Sequence, residues 1–414
     1  MSEPRREPAR EPVRGHDVAV TGLGVVSPHG DDARAMFAAL LRGESAVRPV
    51  FPELPKPAAA ATAAFDASRW FSKLQLAGVD RVSQLAVAAA DLAMLDAGAA
   101  GTAEPERIGV YVGCGMGGAG ALDLAYRGNG RVPPLTIPAF MPNAPASHVA
   151  MRQRVHGPVL TYSVACASSS LAIAEAAKAV QRGEIDLAIA GGAEALIVPG
   201  VVLAWQAMMT LAAFEPGEAA RAVRPVAAER RGFALGEGAA FLVLESAERA
   251  RARGVRRYAQ LAGWGSSSDA THLTKPDAAG QARALRAALR GAGLAPAEVG
   301  YCNAHGTATR IGDVVEREAL ANVWGAALDT LRVSSTKSMH GHLLGAAGAL
   351  EAVVTVLALH ARQLPPNANV GVADPACALN LVLAPGCGAP AGFDAAISSS
   401  FAFGGTNSVL AFRR

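Results

Sequence analysis

Charge, lysine, aromatic rings and paired cysteines are all scarce in this chain. Charged residues make up 18% of its 414 residues and aromatics 5%, against 51% hydrophobic residues. That balance excludes an intrinsically disordered chain, and the length suits two domain-sized cores. A net charge of +3 with few aromatics argues against a nucleic-acid partner. Only five of the 38 basic residues are lysines, a bias of composition, although clustered arginines would suit an acidic partner. The five cysteines (Cys114, Cys166, Cys302, Cys377 and Cys387) are odd in number and form no CxxC pair. They argue against a disulfide framework and for a reducing compartment, so a cytoplasmic location is expected. No run approaches the roughly 20 apolar residues of a membrane span. The apolar stretch at 349–359 is broken by Glu351 and reads as a core helix. Residues 1–16 are charged and rich in proline, lack the apolar segment of a signal peptide, and read as a flexible tail.

What the chain does have is a recurring pattern of strand, glycine-rich turn and small-residue helix. Residues 17–28, "DVAVTGLGVVSP", read as a β-rich run closing on a glycine-rich turn, and 82–98 as a helix stopped by Gly98. Around Cys166 the spacing predicts a strand at 159–164, a helix at 168–182 and a strand at 185–190. The helix has one polar stripe, Glu175, Lys178 and Arg182, so most of its surface is covered. Residues 331–363 repeat the theme with a helix containing Gly345 and Gly348, small enough to approach another backbone. The repetition points to an internal duplication, with halves at 17–255 and 256–414. The end, "AAISSSFAFGGTNSVLAF", reads as a hairpin around "FGGTN".

Cys166 stands at the predicted helix start, where unpaired N–H groups and the macrodipole favour an anion and lower the thiol pKa. Ser168, Ser169 and Ser170 are good capping residues there. His305 follows a strand-like segment, and His342 opens the second small-residue helix, where the dipole keeps an imidazole neutral. A neutral imidazole is a hydrogen-bond donor to an oxyanion. His340 is a rival to His342 on position alone. A metal is the competing use of Cys and His, but the spacings are long and no carboxylate cluster joins them, so no metal is expected. "TGLGVVSPHG" lacks the third glycine of a dinucleotide loop, and Pro28 interrupts the helix that should follow. Lys337 and Glu316 suit either a buried ion pair holding the two histidine loops or two solvated charges; spacing alone does not choose.

Taken in order, "VTGLGVVSPHG", "DRVSQLAVAAADLAMLDAG", "MPNAPASHVA", "VACASSS", "RGFALGEGAAFLVLE", "NAHGTAT", "STKSMHGHLLGAAGALEAV", "LPPNAN" and "SSSFAFGGTN" resemble the β-ketoacyl-acyl-carrier-protein synthases of the thiolase superfamily. The likeness is to the elongating, two-histidine kind and spans about 17–412. It implies a five-layered αβαβα fold of two pseudo-symmetric halves. It also implies decarboxylative condensation with malonyl-carrier in fatty-acid or type II polyketide synthesis. Cys166 is then the acyl-accepting nucleophile, and His305 and His342 the pair that polarises the malonyl thioester, which settles His342 over His340. Lys337 and Glu316 become the ion pair, Phe403 the gating ring, and the Cys166 and Phe403 N–H groups the oxyanion hole. Thr307 and Thr309 bond the phosphopantetheine arm, and Asp313, Gly404 and Met116 fall at substrate-side positions, Met116 facing the acyl pocket. No bound cofactor is implied; substrates arrive on the phosphopantetheine of an acyl carrier protein. A dimer is implied, either of identical chains or with a nucleophile-lacking, chain-length-factor-like subunit. A thiolase acting on CoA esters is the other relative, but Cys377 and Cys387 lack the setting of its second cysteine. A non-catalytic partner subunit is opposed by the presence of Cys166.

The chain departs from the pattern in places. The usual Arg-Pro-Phe-Asp reads Arg224, Pro225, Val226, Ala227, and Arg231 replaces the acid of Arg-Asp-Gly-Phe. A basic run is reduced to Lys73, a typical arginine becomes Met209, and Arg131 matches a docking-type basic position. An altered carrier-facing surface is the expectation that follows.

Overall fold

The computed structural model describes residues 15–128 and 132–414. Arg131 and all but the last two residues of the expected tail lie outside them. Eleven strands form one continuous sheet. In chain order they are β1 Val18–Val26, β2 Ile108–Gly113, β3 Val159–Tyr162, β4 Leu187–Glu194, β5 Gly238–Ser246, β6 Ala259–Ser268, β7 Tyr301–Asn303, β8 Arg332–Ser334, β9 Asn380–Leu381, β10 Ala395–Phe401 and β11 Thr406–Arg413. The sheet order is β9-β8-β7-β10-β11-β6-β1-β5-β4-β2-β3. Up to β5 the order is 3-2-4-5-1. From β6 onward, setting aside the extra edge strand β9, β8-β7-β10-β11-β6 repeats it. The pairings repeat as well, parallel on the outer side of each half and antiparallel on the inner. The duplication inferred from local patterns is therefore present as topology, with β1 and β6 paired antiparallel at the join.

The principal helices are α1 Arg81–Asp96, α2 Ala144–Gln153, α3 Ser168–Gln181, α4 Pro199–Ala207, α5 Ala278–Ala292, α6 Gly312–Trp324 and α7 Ala347–Ala361. Strand alternation sorts them into layers. In β5, Ala239, Phe241 and Val243 face the core shared with α1 and α2, while Ala240, Leu242 and Leu244 face α3 and α7. In β11, Val409 and Ala411 face α5 and α6, and Leu410 and Phe412 face α3 and α7. The result is the five-layered thiolase-like arrangement, with α3 and α7 in the central layer. Each fully buried leucine or valine of α7 contributes about 1.5–3 kcal/mol relative to exposure. The whole run 347–359 is buried, and Glu351 within it is 0% exposed.

Two local expectations change. Gly22 and Gly24 do not make a turn: they lie inside β1, which runs on to Val26. Glycine is needed there because a Cβ at Gly24 would fall 2.0 Å from the Ala89 carbonyl oxygen of α1. Ser168, Ser169 and Ser170 do not cap α3, whose N-cap is Ala167 without a side-chain bond. Instead Ser169 Oγ accepts the Ala349 N–H at 2.9 Å, and Ser170 Oγ meets Ser408 Oγ at 2.9 Å. Those serines fasten the start of α3 to the start of α7 and to β11. Gly113 lets α3 start close against β2, where a Cβ would sit 2.1 Å from Ser169 N, and Gly348 lets α7 cross α3, where a Cβ would sit 2.9 Å from Ser170 N. This crossing of two helix N-termini is what brings residues 166 and 342 together.

Candidate active site

Cys166 lies in the single turn Ala165–Ala167 between β3 and α3. Ala165 has φ +50°, a strained value for a residue with a Cβ, and it aims the next side chain out of the turn. Ser168 Oγ holds the turn, accepting from Val164 N at 2.9 Å and donating to Ala165 O at 2.6 Å. The Phe403 N–H faces the sulfur and favours its anion. Phe403 sits on the β10–β11 turn, where Gly404 and Gly405 have φ +84° and +77°.

His342 enters from the other half. Gly341 (φ +69°) redirects the chain, and His342 is held by its N–H to Ala234 O (2.8 Å) and its carbonyl from Gly236 N (2.8 Å). Its Nδ1 accepts from Leu344 N at 3.3 Å, so Nε2 carries the proton, and Nε2 lies 3.1 Å from Cys166 Sγ. The His305 ring stands edge-on to His342 with centroids 5.4 Å apart. One ligand atom each from Cys166, His305 and His342 falls within 4.8 Å of the other two. His340 is excluded: both its nitrogens are engaged, with Gly341 O at 2.8 Å and Thr336 Oγ1 at 2.9 Å.

The three side chains share one cavity of about 710 Å³. Thr307, Thr309 and Phe403 also line it, and the two threonine hydroxyls bond each other at 3.0 Å. Three expected wall residues do not. Met116 is 46% exposed at the end of β2, its N–H on the buried Glu194 carboxylate at 3.3 Å. Gly404 is exposed and donates to Leu273 O; Gly405 takes its place on the wall. Asp313 is buried beneath the threonine loop, accepting from Val226 N at 2.8 Å with Arg230 Nε at 3.6 Å, so it supports the loop from behind.

The expected ion pair is also corrected. Lys337 pairs with Glu351, not Glu316, and both partners are wholly buried. The two oxygens of Glu316 are already engaged by donors: His305 N at 2.8 Å, Gly306 N at 2.7 Å and Ser399 Oγ at 3.0 Å. Glu316 therefore fixes the backbone under His305, and Lys337 reaches into α7 for its counter-charge. A lone acid in an otherwise apolar, fully buried helix was the signal for that partner, since an unpaired buried carboxylate is too costly.

Electrostatics follow from burial. His305 and His342 are held well below the usual imidazole range, first by desolvation and then by the Lys337 charge. They are neutral, as expected, although burial and not the helix dipole is the main cause. The resting thiolate expected at Cys166 is corrected in the same way. Burial pushes the thiol up to about 12, with Lys337 and the Phe403 N–H pulling it down. The sulfur is a thiol at rest, and the donors around it stabilise the anion only as it forms.

Sequence reasoning did not find Trp205, Phe233 or Arg230. Trp205 and Phe233 line the cavity, and Arg230 braces its loop from below, donating to Thr309 O, Arg310 O and Asp374 Oδ2 at 3.0, 2.8 and 2.7 Å. No local pattern marks Trp205; Arg230 and Phe233 stand in the stretch likened to Arg-Asp-Gly-Phe, but only the fold shows what each touches.

Known proteins resemble this chain over nearly its whole length. The β-ketoacyl synthase N-terminal domain matches residues 15–250 and the β-ketoacyl synthase C-terminal domain residues 258–371. The chain is 36% identical over 409 residues to 3-oxoacyl-[acyl-carrier-protein] synthase 2 of Staphylococcus aureus, covering 96% of this chain and 98% of that one. It superposes with TM-score 0.88 at 36% identity on a β-ketoacyl synthase from Burkholderia phymatum STM815, covering 96% and 99%. A type II polyketide synthase ketosynthase (AntDE), solved with its acyl-carrier protein AntF, superposes with TM-score 0.86 at 29% identity, with the same coverage.

Proposed function

The chain belongs to the β-ketoacyl synthase family, and from that membership we propose that it condenses an acyl group held on Cys166 with malonyl-acyl-carrier protein. The observation that carries the proposal is the 3.1 Å contact of His342 Nε2 with Cys166 Sγ beside a second neutral imidazole in one cavity.

In the first half-reaction Cys166 Sγ attacks the acyl thioester carbonyl. The bond to the carrier sulfur breaks, the carrier leaves as a thiol, and the proton lost by Cys166 balances it. The Cys166 and Phe403 N–H groups receive the oxyanion. In the second, malonyl-carrier loses carbon dioxide, and the freed electron pair forms an enolate. His342 donates its Nε2 proton to the enolate oxygen as a hydrogen bond, and His305 stands beside it. Neutral donors in a water-poor site stabilise that charge without themselves being buried cations. The enolate carbon attacks the acyl carbonyl, the bond to Cys166 breaks, and the released thiolate takes a proton from water. Holding both thioesters in one cavity lowers the barrier by positioning. Thr307 and Thr309 bond the phosphopantetheine arm, which is substrate; no other cofactor enters.

Two units meeting near 255, a cytoplasmic location and a dimer complete the reading. The dimer is favoured by exposed apolar residues: Leu160 on the edge strand β3 is 44% exposed, and Leu124, Tyr126 and Ile137 are 59%, 83% and 65% exposed. The partner is a second copy or a nucleophile-lacking homologue, which native mass spectrometry of the chain purified alone and with such a homologue distinguishes. The main test is intact-mass analysis of Cys166 acylation across a panel of acyl carriers, followed by malonyl-carrier decarboxylation. Turnover that requires free CoA and no malonyl-carrier would instead indicate a thiolase.

A further inference from the structure

Trp205 occupies a junction that the scheme above does not use. It lies on α4 and borders the same cavity as Cys166. Its indole stacks on the Phe403 ring, with centroids 6.1 Å apart and planes 22° from parallel. It also meets Phe233 edge-on at 5.5 Å, and Phe233 stands edge-on to His342 at 5.1 Å. Because Phe403 and Cys166 line the same cavity and the Phe403 N–H faces the sulfur, the Trp205–Phe403 stack stands beside the group that receives the acyl chain. Most other apolar groups clustered with Cys166, among them Leu196, Val202 and Leu344, are aliphatic, with Phe51 the exception.

The two kinds of wall discriminate differently. Any acyl chain gains from apolar burial against leucine or valine. Only a flat π system gains in addition from offset stacking on an aromatic face. A double bond conjugated with the thioester carbonyl also holds the first carbons in one plane, so less rotor freedom is lost on docking. Phe403 is carried on a turn with two glycines at positive φ, so it is the partner able to give way, while Trp205 is anchored in a helix.

We propose that Trp205 is a specificity-determining residue that favours acyl chains flat and unsaturated next to the thioester (enoyl, polyenoyl or aryl) by stacking on them where it now stacks on Phe403. The inference rests on Cys166 being the acyl acceptor. Its test uses the whole protein and two matched substrates, hexanoyl- and 2,4-hexadienoyl-carrier protein. Rates of Cys166 acylation are read by intact mass in the wild type, Trp205→Leu and Trp205→Met. Conjugation dulls the carbonyl equally in every variant, so the readout is the change in the dienoyl-to-hexanoyl rate ratio. Loss of the aromatic face should lower that ratio about fivefold, within the roughly two- to twelvefold range of a stacking contact. Both rates lose from the smaller apolar wall, and the hexanoyl rate should fall less than the dienoyl rate. A ratio unchanged in either folded variant overturns the inference, as does a fall confined to the hexanoyl rate. If neither substrate acylates Cys166 in the wild type, the reading of Cys166 fails instead. The methionine side chain is unbranched and adapts to fill the gap, so the test stands even if the leucine variant does not fold.

Discussion

Glu351→Gln leaves the Lys337 ammonium wholly buried without its counter-charge. Breaking a buried pair from one side costs about 3–5 kcal/mol, a large part of the roughly 5–15 kcal/mol that holds a typical domain together. Replacing both partners by apolar residues of similar volume, Lys337→Met with Glu351→Leu, removes the desolvation penalty along with the attraction. That double variant should lie near wild-type stability or above it. Denaturant titration reads this directly as a shift in midpoint at constant slope. The same pair reaches the chemistry, because the Lys337 charge is the second cause, after burial, of the low pKa of His305 and His342. Without it both imidazoles take up a proton more readily. The acid limb of malonyl-carrier decarboxylation should therefore move to higher pH in the folded double variant. Two results would refute the reasoning: Glu351→Gln within about 1 kcal/mol of wild type, or an acid limb that does not move. A third comparison separates Glu351 from Glu316. Lys337→Met with Glu316→Leu should not be rescued, because the His305 and Gly306 N–H groups lose their acceptor.

His342→Ala should still self-acylate at Cys166 but lose decarboxylation by about 10²–10³-fold, the usual worth of one oxyanion donor; normal decarboxylation would remove His342 from its role. In the wild type, decarboxylation should stay level from pH 8 down through the ordinary imidazole value of 6.5, since both histidines are already neutral there. His340, held at about 3 in the fold, binds a proton below pH 6.5 only when unfolded, so its share of stability is lost as pH falls. Relative to His340→Gln, the wild type should lose ~2 kcal/mol more between pH 7 and 5 in denaturant titrations. Gly113→Ala, whose Cβ would meet the Ser169 backbone, should cost about 3 kcal/mol or prevent folding, seen as loss of soluble protein or a lowered midpoint.

Cys166, His305 and His342 each mark a local event along the chain, and the family resemblance chose His342 over its rival His340. One starts a helix, one follows a strand and one opens a glycine-flanked turn before a small-residue helix. Hydrophobic periodicity placed α1, α3 and the β10–β11 hairpin within a few residues, since those elements are set by their own side chains. The repeated strand–turn–helix pattern likewise announced the duplication that the sheet order now displays. Gly22 and Gly24 were misread as a turn because glycine at a close helix–strand contact and glycine at a bend look alike in one dimension.

What sequence alone determined was the set of chemical groups and the local geometry that exposes each: a thiol at a helix start, imidazoles in tight turns, small residues where backbones must touch. Tertiary structure decided the partnerships. Glu351 rather than Glu316 neutralises Lys337, burial rather than the helix dipole keeps the histidines neutral, and Trp205 meets Phe403 from a distant part of the chain. Pair choice and desolvation depend on distances through space and on how much water is excluded. Neither quantity exists until the layers have closed on one another.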